Sequence, residues 1–186
     1  MNAEGIVRLV TDALDGLLVP YVLVGSFASN IYGIARSTQD VDLVIDSNLK
    51  RVSDLMRLLG PEFHRDPQIH FETVTGSSKS VIEHQPTKFE IEVFQLTDDP
   101  HDQSRFKRRR KARIYGSEMY VLTAEDVLVT KLNWLHRANR TKDLLDVQHV
   151  ISVQDEHLDW PYIESWCNQH GSRALLEKIR SDLAQP

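Results

Sequence analysis

The chain has 186 residues, of which 41% are hydrophobic and 26% charged, the proportions of an ordinary globular protein with enough apolar material for a sizeable core. The formal net charge of −5 argues against a general nucleic-acid coat protein, and the single cysteine excludes an intrachain disulfide and a cysteine-based zinc cluster. No apolar run approaches the roughly 18 residues that span a bilayer and the N-terminus lacks a signal-peptide pattern, so the sequence predicts a soluble cytoplasmic protein that does not bind membranes.

The first half of the chain has the periodicity of helices alternating with strands. Apolar residues at helical spacing predict a helix over 3–18, and Tyr21 to Val24 are expected to form a buried strand. Ser26 is expected to cap a short helix that Gly33 closes. The elements predicted next are a strand at 41–45, a helix at 48–59, and strands at 69–75, 80–84 and 88–96.

The second half changes to helical periodicity. A basic segment over 105–113 is expected to be helical, and a short strand follows at 118–122. Thr123 and Asp126 resemble a capping box, with Asp in place of the usual Glu or Gln. The change of period predicts two domains, residues 1–122 and 123–186. The helices predicted in the second domain cover about 124–137, 141–152, 160–169 and 171–183.

The turn after the first strand has the features of a phosphate-binding site. Gly25 lets the backbone approach a phosphate without a Cβ atom in the way. The helix that follows offers backbone N–H groups and the positive end of its dipole, and Ser26 adds a hydroxyl donor. An ordinary capped turn explains the same two residues, and the chain has no Walker P-loop.

Two aspartates lie in the next predicted strand, at positions that share one face. Asp40 and Asp42 are two residues apart, so their carboxylates project the same way. Two like charges side by side are costly unless a cation neutralises them, and carboxylate oxygens combined with substrate phosphates suit Mg²⁺ or Mn²⁺. The alternative is a solvated face of an edge strand, but the apolar run over 41–45 favours a buried strand.

A later predicted strand offers a third carboxylate. Glu90 and Glu92 alternate with apolar residues and therefore share one face of that strand. One of them could complete a three-carboxylate site, and a solvent-facing pair on an outer strand is the alternative.

Together these residues resemble the nucleotidyltransferase superfamily with a DNA polymerase β-like palm, whose pattern is Gly-Ser, then Asp-x-Asp on the next strand, then a third acid on a later strand. The order of Gly25-Ser26-x-Ala28, Gly33 and Arg36-x-Thr38-x-Asp40-x-Asp42 is similar to the small prokaryotic nucleotidyltransferases of the abortive-infection AbiEii toxin type. The similarity covers about 20–152. It continues through Phe94-Gln-Leu-Thr-Asp-Asp-Pro, Phe106-Lys-Arg-Arg-Arg, Thr123-x-Glu125-Asp126, Lys131-Leu132 and Lys142-Asp143-x-x-Asp146.

The resemblance implies an α/β (α+β) fold, a mixed-sheet nucleotidyltransferase palm with helices on it, followed by a small helical C-terminal region. It implies an enzyme in which Mg²⁺ or Mn²⁺ lies between a nucleoside triphosphate and three catalytic, metal-binding carboxylates. These are Asp40, Asp42 and Glu92, the last standing where the family pattern usually has Asp. The nucleotide-binding residues implied are Gly25, Ser26, Arg36, Thr38 and Lys131. A salt bridge that pins its loop is an alternative role for Arg36.

The resemblance also implies partners. The acceptor hydroxyl would belong to tRNA, a protein or a small molecule, and the toxin type implies an antitoxin partner. The run from Arg105 to Arg113, with seven cations in nine residues, is either an RNA-phosphate contact or a solvated helix face. A non-catalytic palm that binds a nucleotide, RNA or a partner protein is the alternative to an enzyme, because the third acid departs from the pattern.

Overall fold

The computed structural model describes residues 1–46, 51–72 and 76–184, and the chain divides into two compact units. The sheet unit comprises Met1–Phe27 and Ser37–Val121, and the helical unit comprises Ala28–Arg36 and Leu122–Pro186. The two units are defined by their compactness alone. The division into domains at 1–122 and 123–186 therefore remains a prediction.

The sheet unit is built on one mixed sheet, which has eight strands among the residues described. The strands are β1 (Tyr21–Val24), β2 (Asp40–Ile45), β3 (Phe63–Arg65), β4 (His70–Phe71), β5 (Ser78–His84), β6 (Phe89–Gln95), β7 (Arg110–Ile114) and β8 (Ser117–Val121). Their order is β3-β5-β6-β2-β1-β8-β7, and β4 pairs with β5. The neighbours β2 and β6 are parallel, as are β1 and β8, and the other pairs are antiparallel. The predicted mixed α/β class is confirmed.

Helices α1 (Ala3–Gly16), α3 (Arg51–Leu59) and α4 (Pro100–Lys107) belong to the sheet unit, and α2 (Gly25–Tyr32) begins in it. The Asn2 side chain caps α1 by accepting a hydrogen bond from the Gly5 N–H at 3.0 Å. The apolar stripe of α1, including Ile6, Val10 and Leu14, is buried. This burial explains why the spacing over 3–18 predicts the helix correctly.

The helical unit contains α5 (Ala124–Ala138), α6 (Thr141–Gln154), α7 (Trp160–His170) and α8 (Arg173–Leu183), with a short 3-10 turn between α6 and α7. The four predicted helices are confirmed. The Thr123 hydroxyl accepts a hydrogen bond from the Asp126 N–H at 3.3 Å and donates one to the Asp126 carboxylate at 2.9 Å. None of the helices in 1–46, 51–72 and 76–184 has the length and apolar content needed to cross a membrane.

The structure differs from the prediction at three places. Helix α2 begins at Gly25, one residue before the predicted cap Ser26. Residues 105–113 are not one helix, because α4 ends at Lys107 and the chain from Arg110 pairs with β8 as a strand. Strand β3 was not predicted. The start of the predicted helix, 48–50, and the end of the predicted strand 69–75, at 73–75, lie outside the described residues.

Candidate active site

The junction between β1 and α2 lies directly beside the first carboxylate strand. In the antiparallel pairing of β1 with β2, Val24 is opposite Asp42, and Gly25 follows Val24. Gly25 has a φ of +63°, and a Cβ atom built on it would overlap Asp42 Oδ2 and lie 2.7 Å from Asp42 Cγ. Both the backbone conformation and the space require glycine here. The Gly-Ser turn and the Asp-x-Asp strand are therefore one packed arrangement.

Strands β2 and β6 place four carboxylates on one face of the sheet. Their parallel register sets Asp40 beside Glu90 and Asp42 beside Glu92. Residues two apart on a strand share a face, and so do register partners on neighbouring strands. Asp40, Asp42 and Glu92 are half-buried, whereas Glu90 is exposed. Register therefore favours Glu92 over Glu90 as the third acid of a site centred on Asp42.

Thr38 holds the first of these carboxylates. Its hydroxyl donates a short hydrogen bond to Asp40 Oδ1 and also lies 3.2 Å from the Asp40 carbonyl oxygen. Thr38 lies two residues before Asp40, and this contact fixes where the Asp40 side chain points. In the structure Thr38 orients the Asp40 carboxylate. Nucleotide binding by Thr38 remains a prediction.

The third acid is paired with a lysine that the sequence analysis missed. Lys79 on β5 donates a hydrogen bond to Glu92 Oε1 at 2.6 Å, and each side chain is 21% exposed. The Lys79 ammonium also lies 5.5 Å from the centre of the Phe94 ring. No sequence signal marked Lys79, because the strand was predicted to begin one residue later, at Ser80.

The carboxylate oxygens on this face of the sheet suit a divalent ion held by two side chains. No group of three or more His, Cys, Asp and Glu side chains is arranged to hold a metal within 1–46, 51–72 and 76–184. Asp40 and Asp42 supply oxygen ligands on one face, beside the buried Ser26 at the start of α2. Mg²⁺ commonly takes one or two protein carboxylates and completes its shell with water and substrate phosphates. The residues present fit such an ion, with Asp40 and Asp42 as ligands.

The remaining two predicted nucleotide-binding residues, Arg36 and Lys131, lie in the helical unit and share an acidic partner. Arg36 makes two hydrogen bonds to the Asp146 carboxylate, at 2.9 and 3.0 Å. Lys131 contacts Asp146 and Asp143, each at 2.8 Å, and Arg140 contacts Asp143 at 3.2 Å. The salt bridge proposed as the alternative role of Arg36 is therefore present, and nucleotide binding by both residues stays a prediction.

The ion cluster changes the acidity of its central carboxyl. Burial alone would raise the pKa of Asp146, but hydrogen bonds from Arg36 and Lys131 outweigh burial and hold the pKa below its ordinary value. The Asp146 side chain is only 3% exposed, and Lys131 is 5% exposed. A charge cluster buried to this degree ties α5, α6 and the segment 28–36 together within the helical unit.

The basic run does not form one cationic track. Arg105 is buried and paired with Asp102 at 2.7 Å. Arg109 stacks on the rings of Phe106 and Tyr120, at 4.2 and 5.1 Å from their centres. The exposed cations of the run are Lys107, Arg110, Lys111 and Arg113, three of them on the edge strand β7. An RNA contact through this segment stays a prediction that concerns these exposed residues.

Comparison with known proteins places the chain in a family. The sequence profile of a family described as "Uncharacterised nucleotidyltransferase" matches residues 20–182. No curated protein sequence matches the chain.

Solved structures share the fold. An antigenic nucleotidyltransferase-like protein from Paracoccidioides brasiliensis is 20% identical with a TM-score of 0.62, and the match covers 95% of this chain and 90% of that one. ANT(2'')-Ia in complex with adenylyl-2''-tobramycin is 14% identical with a TM-score of 0.63, covering 92% of this chain and 98% of that one. The lincomycin-bound lincosamide antibiotic adenylyltransferase LnuA is 14% identical with a TM-score of 0.53, covering 82% and 98%.

At such identities the structural matches show a common fold and do not transfer a substrate. The family match extends over most of the chain and includes Gly25, Asp42 and Glu92. The protein therefore belongs to the family of uncharacterised nucleotidyltransferases.

Proposed function

We propose that this protein is a metal-dependent nucleotidyltransferase that moves a nucleoside monophosphate from a nucleoside triphosphate to an acceptor hydroxyl. The observation that carries the proposal is the packing of Gly25 against the Asp42 carboxylate. This packing sets the start of α2, which offers donors for phosphate, beside the face that offers carboxylates for a cation.

Each residue of this face has a chemical task in the proposed reaction. Asp40 and Asp42 hold a divalent ion, which when bound neutralises charge that develops on the triphosphate and the leaving pyrophosphate. The backbone N–H groups that open α2 and the Ser26 hydroxyl donate hydrogen bonds to phosphate oxygens. Thr38 keeps the Asp40 carboxylate in position through its hydrogen bond.

The proposed transfer exchanges one phosphorus–oxygen bond for another. The acceptor oxygen bonds to the α-phosphorus, and the bond from that phosphorus to the pyrophosphate oxygen breaks. The acceptor proton leaves to solvent, and the pyrophosphate departs with the bonding electrons. Positioning and charge stabilisation supply most of the catalysis in phosphoryl transfer of this kind.

The proposed acceptor belongs to one of three classes, and a small molecule is the class bound in two structures of the same fold. The ANT(2'')-Ia structure contains adenylyl-2''-tobramycin, and the LnuA structure contains lincomycin. An RNA acceptor would use the exposed cations of β7, and a protein hydroxyl is the third acceptor class. A toxin role with an antitoxin partner is supported by the resemblance to AbiEii-type sequences alone.

The Lys79–Glu92 ion pair favours a second candidate, a palm that binds nucleotide without transferring it. With Glu92 paired to an ammonium at 2.6 Å, the third carboxylate is engaged within the protein. This candidate predicts triphosphate binding without pyrophosphate release.

The test is calorimetric titration of each of the four ribonucleoside triphosphates, with and without Mg²⁺, into the parent protein and Asp42→Asn. The exposed Asp12 on α1 provides the control substitution, Asp12→Asn. Mg²⁺-dependent binding that survives Asp12→Asn and is lost in Asp42→Asn supports the site. Pyrophosphate release is then measured with aminoglycosides, lincosamides or total RNA as acceptor. Absence of triphosphate binding overturns the proposal, and binding without release with every acceptor favours the non-catalytic palm.

A further inference from the structure

Glu92 lies on the middle one of three strands, between the strand that carries Asp42 and the strand that carries Lys79. The parallel register of β6 with β2 sets Glu92 beside Asp42, at the spacing of neighbouring strands, about 4.8 Å. The antiparallel register of β6 with β5 sets Val81 opposite Glu92, so Lys79 is the diagonal neighbour of Glu92 on the same face. Glu92 can therefore be contacted from both sides of its own strand.

The structure shows the Glu92 carboxylate in contact with the β5 side. The Lys79 ammonium donates a hydrogen bond to Glu92 Oε1 at 2.6 Å and lies 5.5 Å from the centre of the Phe94 ring. Each charged side chain is 21% exposed, so solvent screens their attraction less than it would screen a fully exposed pair. In the part of the chain that the structure describes, no three His, Cys, Asp or Glu side chains are gathered as metal ligands. Glu92 is thus engaged by Lys79 and is not gathered with Asp40 and Asp42.

A divalent ion with Glu92 as a ligand would meet the Lys79 ammonium at the same carboxylate. The ion and the ammonium are both positive, and their repulsion is strong at short range because solvent reaches the two side chains only in part. Glu92 therefore cannot keep its contact with Lys79 at full strength and also serve as a metal ligand. Rotation about the Glu92 side-chain bonds suffices for an exchange of partners, because Asp42 lies on the adjacent strand at the same register position.

We propose that Lys79 is a positioning residue that competes with the divalent ion for Glu92. Without the ion, the ammonium holds Glu92 on the β5 side. With the ion bound, Glu92 leaves Lys79 and joins Asp40 and Asp42 as a ligand. This inference rests on the divalent ion of the proposed function, and it means that Lys79 lowers the affinity of the protein for that ion.

A double-mutant cycle on Mn²⁺ affinity tests the competition. Electron paramagnetic resonance of free Mn²⁺ measures the affinity without nucleotide and without turnover. We expect Lys79→Met to raise the affinity at least tenfold, because contacts to a metal ligand typically change metal affinity by about 10–100-fold. In the Glu92→Gln background the same substitution should raise the affinity less than about threefold, since the neutral amide removes the group for which the two cations compete.

Two further variants are controls, and circular dichroism confirms that every variant is folded. Lys79→Arg keeps a cation beside Glu92 and should keep the affinity within about threefold of the parent. Lys88→Met removes the lysine of a second pair on the same β5–β6 hairpin, in which Lys88 lies 2.9 Å from Glu83 and is 66% exposed. It should also leave the affinity within about threefold, because solvent and salt screen an exposed charge.

The outcomes separate this inference from the proposed function. An equal gain of affinity on Lys79→Met in the parent and in the Glu92→Gln background would show that Lys79 acts only through its charge, and it overturns the competition. No gain in the parent background, or no Mn²⁺ bound by either the parent or Lys79→Met, overturns the competition as well. The proposed function fails on a different measurement, the absence of triphosphate binding in the calorimetric titration.

Discussion

The carboxylate of Asp42 occupies the space that a side chain at residue 25 would need. A Cβ atom at Gly25 would lie 2.7 Å from Asp42 Cγ and 3.1 Å from Asp42 Cβ. The Asp42 Cβ is attached to the β2 backbone, so rotation of the carboxylate cannot relieve the whole overlap. A larger residue at position 25 must displace either the strand or the start of α2.

We expect Gly25→Ala to lower the free energy of unfolding by roughly 2–4 kcal/mol, because it combines a left-handed backbone conformation with overpacking. It should also weaken Mg²⁺-dependent triphosphate binding at least tenfold, since the Asp42 carboxylate must move. Urea unfolding and calorimetric titration measure the two effects separately.

Gly116→Ala isolates the backbone contribution to this effect. Gly116 has a φ of +81°, but a Cβ atom there would meet nothing within 4 Å. Gly116→Ala should lower the free energy of unfolding by about 1–2 kcal/mol and leave triphosphate binding unchanged. Equal effects of Gly25→Ala and Gly116→Ala on both stability and binding would show that contact with Asp42 is unimportant.

Thr38 should control the metal affinity of Asp40 without touching the metal. Hydrogen bonds to charged groups contribute about 1.5–3 kcal/mol, so we expect Thr38→Val to weaken Mn²⁺ binding about tenfold or more. Thr38→Ser keeps the hydroxyl and should keep most of the affinity. Mn²⁺ titration compares the three proteins, and similar weakening by Val and Ser would rule out the hydrogen bond as the cause.

The sequence predicted the parts of the site that local periodicity determines. Asp40 and Asp42 share a face because they are two residues apart on a strand, and the helices of the C-terminal half follow from apolar spacing. The segment from Arg110 was mistaken for helix because arginine is a good helix former. Pairing with β8, through a turn with positive φ at Tyr115 and Gly116, overrides that preference.

Contacts between distant residues could not be predicted in the same way. The alignment of Asp42 with Glu92 depends on the parallel register of β2 and β6, which only the assembled sheet defines. Arg36 and Asp146 are 110 residues apart in the chain. A single sequence carries no signal for either pairing. It therefore could not decide whether Arg36 binds the nucleotide or forms a salt bridge.

Asp146 should make the stability of the helical unit sensitive to acid. Its pKa is lower in the folded protein than in the unfolded chain, so its ionised form stabilises the fold above about pH 4. That contribution is lost as the pH falls from about 4 towards the folded-state pKa. We expect Asp146→Asn to lower the free energy of unfolding by about 3 kcal/mol at pH 7, because it leaves Lys131 and Arg36 with fewer buried partners. At pH 3 the loss should be smaller by up to about 1 kcal/mol, because the carboxyl of the unfolded chain is then largely protonated.

Urea unfolding of both proteins at pH 7 and pH 3 measures this difference. Asp54→Asn is the control, since Asp54 pairs with Arg51 and Arg57 in exposed ion pairs. Exposed pairs contribute under about 1 kcal/mol, so this substitution should have a small effect at both pH values. A cost for Asp146→Asn that is the same at pH 7 and pH 3 would contradict the assignment.

The exposed cations of β7 are the residues through which an RNA acceptor would be bound. Replacement of Arg110, Lys111 and Arg113 by alanine removes three cations from one edge strand. If each contacts a phosphate, the slope of log affinity against log salt for single-stranded RNA should become shallower by about 2, since each contact contributes about 0.7. Filter binding over a range of salt concentrations measures the slope.

Net charge alone would weaken RNA binding in any such variant, so the control must remove the same charge elsewhere. Arg57, Lys142 and Lys178 are exposed and lie on three different helices, and their replacement by alanine gives that control. Long-range attraction would make the two triple variants alike, whereas direct phosphate contacts would change the slope only in the β7 variant. Equal slopes, or a parent protein that binds no RNA, would exclude β7 as an RNA-binding strand and favour a small-molecule acceptor.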